Sequence, residues 1–349
     1  MASFPMVVAK HMPPSLQALA YRAQQATMMY SAVFAQRGLR RVLRRKTAPG
    51  RQAQREVARL YQALLARDLK NVEIGAYPDE LLFQMPVVDY LKQIPRLALD
   101  IPRTVRRMRA GRYRDLPGDV KLDRYPPYYR RNFHWQTDGY LSRSSAQLYD
   151  VGVEFLFLGT ADIMRRQVIP PVTDHLRSNP NADRVLDVAC GTGRTLLQLA
   201  HTHPKLRFTG LDLSPYYVQH ARQLLAEVED LSLIADNAEA MPFADETFDV
   251  LTCVHLFHEL PRPARHNVYR EMLRILKPGG LLVIEDSLQN GDSATMSIFL
   301  QQFSKDFHEP FHNDYAKDDI GDALEEHGFE KVETELHFVA KVVRANKPS

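Results

Sequence analysis

An α/β fold, a mostly parallel sheet flanked by crossover helices and preceded by a helical extension, is what this chain predicts, on three observations. Beyond Asp183, short β-rich apolar runs alternate with helix-length segments. One run empties into a glycine-containing turn that opens a helix, "RVLDVACGTGRTLLQLA" from Arg184. Before Tyr125 the periodicity is helical instead, and the charge is strongly basic. With 349 residues and 45% hydrophobic content, the chain is long enough for one large domain plus a substantial extension.

The helical extension comes first. Leu16, Leu19, Ala23, Ala26, Tyr30 and Val33 fall at three- and four-residue steps, which predicts an amphipathic helix from about Ser15 to Arg45. A second is predicted over about Gln52 to Leu69, separated from the first by Ala48-Pro49-Gly50. Asp89 to Arg109 repeats the theme, with Pro95 and Pro102 expected to interrupt it. Tyr125-Pro126-Pro127-Tyr128-Tyr129 reads as an extended linker, which divides the chain into a basic helical region, 1–130, and a second domain, 131–349.

The formal net charge of +3 hides an uneven distribution. Residues 1–130 hold 24 Lys and Arg against 10 Asp and Glu, a balance of +14 that leaves −11 for the remainder. No acid precedes Glu56, while Arg40, Arg41, Arg44, Arg45, Lys46, Arg51 and Arg55 crowd one stretch. Basic membrane-surface segments, nucleic-acid arms, organelle transit peptides and plain solvated helices share that composition. Cys190 and Cys253 are the only cysteines and lack zinc-ligand spacing, so no disulfide is expected and a reducing compartment is the simpler assumption. Apolar stretches such as Leu281–Ile284 and Phe155–Leu158 fall far short of the roughly 20 residues that cross a bilayer. The expected location is cytoplasmic, with association at an anionic membrane surface or organelle import left open by the acid-free N-terminus.

The α/β part supplies five strand candidates, Arg184–Val188, Arg207–Leu211, Leu231–Ile234, Phe248–Val254 and Leu281–Glu285. After the first, glycines at 191 and 193 let the backbone pass close to a ligand, and a helix starting near Thr195 aims its N–H groups at the same spot. A dinucleotide fingerprint would place a third glycine where Leu196 stands. Asp212, 19 residues beyond Gly193 in "FTGLDLS", ends the next strand, where a carboxylate can accept from both ribose hydroxyls. Asp236 follows the third strand in "IADNAEAMPFADETFDVLTCVHLFHELP", placed to accept from an adenine amino group. A helix, the Lys277-Pro278-Gly279-Gly280 turn and a buried strand follow in "EMLRILKPGGLLVIED".

These four pieces, in this order, resemble the class I S-adenosylmethionine-dependent methyltransferases, and their wording is similar to the branch containing the ubiquinone and menaquinone C-methyltransferases. The resemblance covers about residues 145–345. It implies S-adenosyl-L-methionine as cofactor, a Rossmann-like seven-stranded sheet with an antiparallel last strand, and a small, apolar or aromatic acceptor methylated on carbon or oxygen. Asp187, Gly191 and Gly193 would then surround the methionine part, Asp212 the ribose, and Asp236 with Asn237 or Ala238 the adenine, with Ala189 and Leu213 also among the cofactor-binding positions. His255 would lie near the methyl group, and Tyr149 in "SSAQLYDVGVEFLFLGT" would close over the cofactor carboxylate. The final hairpin is expected from "GFEKVETELHFVAKVVRAN", whose alternation changes phase near Phe338 without a Gly or Pro.

A sulfonium methyl is already activated, so the chain has mainly to align the acceptor and, where needed, remove a proton. Candidate bases are His255, His258 and Glu259 after the fourth strand, His134 and Tyr140 in "RRNFHWQTDGYLS", and His308, Glu309 and His312 in "FHEPFHND". The competing readings are structural: His258 and Glu259 as helix anchors, and His134-Trp135 as interdomain packing. "FHEPFH" has no recognised metal-ligand spacing and "HELPR" lacks the second histidine of a zinc-protease helix, so no metal is expected. A nucleic-acid methyltransferase using the basic region is the alternative function, and a non-catalytic cofactor-binding protein a third. "CVHLFHELP" carries neither the Asn/Asp-Pro-Pro-Tyr/Phe motif that holds an exocyclic amine nor a Pro-Cys nucleophile, which counts against nucleic acid as partner. The oligomeric state is left open.

Overall fold

A computed structural model describes residues 13–42, 50–293, 296, 304 and 307–349. Seven strands form one sheet: β1 (Arg184–Val188), β2 (Arg207–Asp212), β3 (Leu231–Ala235), β4 (Phe248–Val254), β5 (Leu276–Ser287), β6 (Glu330–His337) and β7 (Ala340–Asn346). Their order is β3-β2-β1-β4-β5-β7-β6, with β7 antiparallel to both neighbours and β1 to β5 parallel. Successive residues of β1 enter opposite cores, because helices cover both faces. Val185 joins Leu196 and Leu199, whereas Leu186 and Val188 join Val268, Met272 and Leu324. The fifth strand is longer than its sequence suggested. Phe248 pairs with Leu276 and Val250 with Leu281, so the Lys277–Gly280 turn is a bulge within β5.

The hairpin joining β6 to β7 turns at Phe338 and Val339, and Phe338 takes a left-handed φ of +49°. Burial fixes this turn in place of a glycine. The Phe338 ring sits edge-on to Tyr61, 6.1 Å between centroids, in a core shared with the N-terminal helices.

Those helices are α1 (Pro14–Val42), α2 (Arg51–Glu73) and α3 (Val87–Arg109), and the remaining helices used below are α4 (Arg143–Leu156), α5 (Ala161–Arg165), α6 (Ile169–Ser178), α7 (Arg194–Thr202), α8 (Pro215–Leu224) and α9 (Arg262–Ile275). The interruption expected at Pro95 and Pro102 does not occur: α3 runs continuously through both. Both rings lie on its exposed side, where a carbonyl that loses its N–H partner can turn to water. Helix α1 also differs from the usual surface helix. Its sequence stripe, Leu16, Leu19, Ala23 and Tyr30, faces outward, while Tyr21, Gln25 and Ala32 face in. Of the basic stretch, Arg44, Arg45 and Lys46 lie outside the described residues, as do the side chains of Arg40, Arg41 and Arg51.

The N-terminal helices share cores with the sheet. Tyr21, Tyr61, Leu64 and Leu65 pack with Ile163, Met164 and Leu288, and Tyr77 and Leu81 reach Val168 and Val185. A buried ion pair ties the two layers, with Arg166 donating through Nε to Asp68 Oδ1 at 2.6 Å. Tyr77 donates to the same oxygen at 2.5 Å and Tyr21 to the other. Asp68→Ala leaves the Arg166 guanidinium buried without its partner, and should cost about 3 kcal/mol of stability. Thermal unfolding checks this: a melting temperature equal to that of the parent chain would show that the pair holds nothing together. Among the described residues no helix is long and apolar enough to cross a membrane.

Candidate active site

At the carboxyl end of β1 the chain reverses through three left-handed residues, Ala189 at φ +58°, Gly191 at +54° and Gly193 at +87°. The two glycines have different duties. A Cβ on Gly193 would stand 2.8 Å from Leu225 Cδ1 and 3.2 Å from Ala221, so this glycine lets α7 pack against the end of α8. A Cβ on Gly191 would meet nothing within 4 Å, because that residue faces an open cleft.

The cleft is concave, lined by apolar and polar groups, and opens to solvent. Asp212, at the end of β2, stands on its wall and ties two loops: Oδ2 accepts from the Gly191 N–H at 3.0 Å and Oδ1 from the Ser214 N–H at 2.8 Å. Burial pushes its pKa up to about 6 against those two donors. Ala189, Leu213, Asn237, Ala238, His255 and Tyr149 line the same cleft. Asp236 does not reach the wall; it orients the loop by accepting from the Asn237 N–H at 2.7 Å. Asp187 lies beneath the turn, 1% exposed, accepting from Thr252 Oγ1 at 2.7 Å.

Under and beside this turn, buried carboxyl groups outnumber guanidiniums. Asp150, Glu154, Asp162, Asp187 and Glu285 are five buried carboxyls, and Arg165 and Arg194 are the guanidiniums among them. Burial opposes ionisation of Asp162, but Arg194 and Arg165 outweigh it and hold the pKa at about 2. Asp187 and Glu285 fare differently. Burial pushes Asp187 up to about 7 and Glu285, with Asp286 beside it, to about 8. Glu285 is 0% exposed and neither carboxylate oxygen has a hydrogen-bond donor. Its nearest basic neighbour, His255 Nε2 at 3.6 Å, is kept neutral because burial lowers that pKa to about 3. None of these carboxyls lines the cleft; they lie behind its wall, where unpaired Glu285 would favour positive charge in the space beyond.

The three sequence clusters proposed as bases converge at the far end of the cleft. Glu259, on its wall, accepts through Oε1 from His134 Nε2 at 2.9 Å and from the Tyr140 hydroxyl at 2.5 Å. The other ring nitrogen of His134 lies 3.4 Å from Glu309. Burial disfavours the charged imidazole, but Glu259 and then Glu309 raise its pKa overall. His134 and Trp135 both carry positive φ, +53° and +59°, a conformation that turns the imidazole out of the linker toward the β4 loop. His258 pairs with Asp286, Nδ1 to Oδ1 2.6 Å; burial opposes its charge, yet Asp286 lifts its pKa to about 10. His312 bonds Ser287 Oγ at 3.1 Å, and burial lowers its pKa to about 4. His308 is placed elsewhere: its ring stacks between Trp135 and Tyr113, with centroids 4.9 and 4.8 Å away, and does not line the cleft.

His255, His258 and Asp286 offer ligand-capable atoms within 4.8 Å of one another. Asp286 already accepts from His258, the Phe257 N–H and the Ser287 N–H, an arrangement that suits an ion pair. Sequence reasoning named Tyr140 and Tyr149 but missed Tyr129 and Tyr217, which complete an aromatic wall. Tyr129, Tyr140, Tyr149 and Tyr217 line the cleft, and the rings of Tyr140, Tyr149 and Tyr217 contact one another at 5.4 to 6.0 Å. Glu285 and Arg165 were also missed, since nothing local marks either charged residue as buried.

A family described as "Methyltransferase domain" matches residues 185–280. A demethylmenaquinone methyltransferase of Thermotoga maritima is 31% identical over 203 residues, covering 53% of this chain and 84% of the relative. A 27-O-demethylrifamycin SV methyltransferase of Amycolatopsis mediterranei is 36% identical over 110 residues, 30% of this chain and 39% of the relative. A ubiquinone/menaquinone biosynthesis C-methyltransferase of Desulfotalea psychrophila is 30% identical over 139 residues, 40% of this chain and 53% of the relative. The chain thus spans well under two thirds of the last two relatives.

Proposed function

This chain belongs to the class I S-adenosylmethionine-dependent methyltransferases, and we propose that it methylates a small, apolar or aromatic acceptor on carbon or oxygen. The observation that carries the acceptor class is the tyrosine-walled cleft that ends on Glu259. Aromatic faces favour a flat apolar ring, and one carboxylate at their edge suits a phenol or a ring carbon activated by one. Relatives named for menaquinone, ubiquinone and rifamycin methylation support a small-molecule acceptor over nucleic acid.

S-adenosylmethionine would supply an electrophilic methyl group; Asp212 on the wall would hold its ribose, and the buried carboxyls behind the wall would favour its positive end. The chain's own residues do the rest. Asn237 and Ala238 would border its adenine, Tyr149 and Tyr217 exclude water from the cleft, and His255, neutral and stacked on Phe157 (5.9 Å, 4° between planes), would border its methyl. Glu259 takes the acceptor's proton, aimed by its hydrogen bonds from His134 and Tyr140.

Glu259→Gln keeps the shape and removes the proton acceptor, so kcat should fall about a hundredfold with cofactor affinity unchanged. S-adenosylhomocysteine release with hydroquinone and phenol acceptors measures it. Full turnover by the Gln variant would remove Glu259 from the chemistry. Release of the product from no such acceptor would remove the acceptor class.

A further inference from the structure

Surface helices normally bury their apolar stripe and expose their charges. On α3 a second apolar stripe faces outward. Val88, Leu91, Ile94, Leu99 and Ile101 are all exposed, Leu99 by 78%, and Pro95, Ala98 and Pro102 fill the gaps at helical spacing. The inward face is already occupied: Tyr90 and Leu97 pack with Met28 of α1 and with Val151 and Phe155 of α4. Across that shared cluster α1 does the same, turning Leu16, Leu19, Tyr30 and Phe34 outward, Phe34 by 80%. Nine of the twelve exposed large hydrophobics among the described residues lie on these two helices. Such concentration marks an interaction surface, not scattered surface apolarity.

Charge identifies the occupant. Residues 87–114 carry eight Lys and Arg against two Asp. Lys92, Arg96 and Arg103 line one flank of the α3 stripe, and Arg106, Arg109, Arg112 and Arg114 crowd its C-terminal end, all exposed. An apolar strip edged by cations matches the acyl boundary of an anionic bilayer, where the strip enters and the cations meet headgroups. A nucleic acid would use the cations and leave the leucines in water.

We propose that the outward faces of α3 and α1 dock this protein on an anionic membrane surface, peripherally. The docking face stands on its own residues. Its purpose, access to an acceptor dissolved in the bilayer, rests on the methyl-transfer reading, since the linker that follows α3 carries Tyr128 and Tyr129 into the cleft.

The test is flotation of the full chain with phosphatidylcholine vesicles containing phosphatidylserine, and with phosphatidylcholine alone. The parent chain should float with the anionic vesicles at low salt and stay behind with the neutral ones. Leu91→Asp with Leu99→Asp should abolish flotation, and Lys92→Gln with Arg96→Gln and Arg103→Gln should weaken it about tenfold or more. All these side chains are exposed, so unchanged melting temperature and unchanged calorimetric affinity for S-adenosylhomocysteine serve as controls. The proposal is overturned if the parent chain fails to float, or if the Leu variant floats equally well. It is also overturned if light scattering shows a dimer that the Leu variant dissociates, or if RNA binding occurs in its place. Flotation needs neither cofactor nor acceptor, so its failure leaves the methyl-transfer reading standing, and the reverse holds too.

Discussion

Asp212→Ala is expected to weaken binding of S-adenosylmethionine and S-adenosylhomocysteine by about two to three orders of magnitude, the equivalent of two charge-assisted hydrogen bonds. The carboxylate stands at the end of β2 on the wall of the cleft, with one oxygen committed to each loop. Each oxygen retains a further lone pair for a ribose hydroxyl. Because the carboxylate also ties Gly191 to Ser214, part of the loss in the Ala variant comes from the loops losing their tie. Asp212→Asn keeps the shape and one of the two loop ties. Its amide oxygen can still accept from one loop N–H, but its NH₂ offers the wrong polarity to the other N–H, and it cannot accept from two hydroxyls at once. Titration calorimetry on each folded variant reads the effect. Affinity within threefold of the parent chain in both would mean that the ribose is held elsewhere, and the nucleoside reading of this cleft would lose its anchor.

That carboxylate was visible in the sequence because its cue is local: an acid at the end of a strand, a fixed distance past a glycine turn. The strands were visible for a related reason, since burial on both faces leaves nearly unbroken apolar runs, as in β4 and the second half of β5. The final hairpin was less legible because its turn depends on Phe338 reaching Tyr61, 277 residues away in sequence, and no local signal reports that contact. Continuity of α3 through two prolines has the same explanation in reverse. A proline's local cost is tolerated when its ring and the freed carbonyl both point to water, and sequence does not say which side will be wet. In the site, "FHWQTDGYLS" and "FHEPFHND" carried recognisable proton-handling residues, yet only the fold shows that His134 bridges Glu259 and Glu309 while His308 spends its ring on stacking.

The buried carboxyls make a second strong demand, on pH. Burial raises Asp187 to about 7 and Glu285 to about 8, well above their values in an unfolded chain. A group with a raised folded-state pKa holds its proton more tightly when folded. The stability it contributes is therefore full below about pH 4 and is lost as pH rises through the folded value. These two carboxyls take stability away as pH rises from about 5 to 8, while buried His255 and His312, with lowered values, add stability up to about pH 6.5, so the carboxyl contribution is read as the difference between the parent chain and Glu285→Gln. A cationic ligand beside these carboxyls reverses the preference, because it favours their ionised forms. Binding of S-adenosylmethionine at pH 7 should then release about one proton, with affinity rising from pH 6 to pH 8. S-adenosylhomocysteine, whose sulfur is neutral, should release fewer. Calorimetry in phosphate and in Tris at the same pH reads proton release as the difference in observed heat. Glu285→Gln should flatten both the melting profile and the buffer dependence, since an amide of the same shape has no proton to lose. Identical heats in the two buffers, with parent and Glu285→Gln melting profiles parallel across this pH range, would show that the buried carboxyls do not select the ligand by charge.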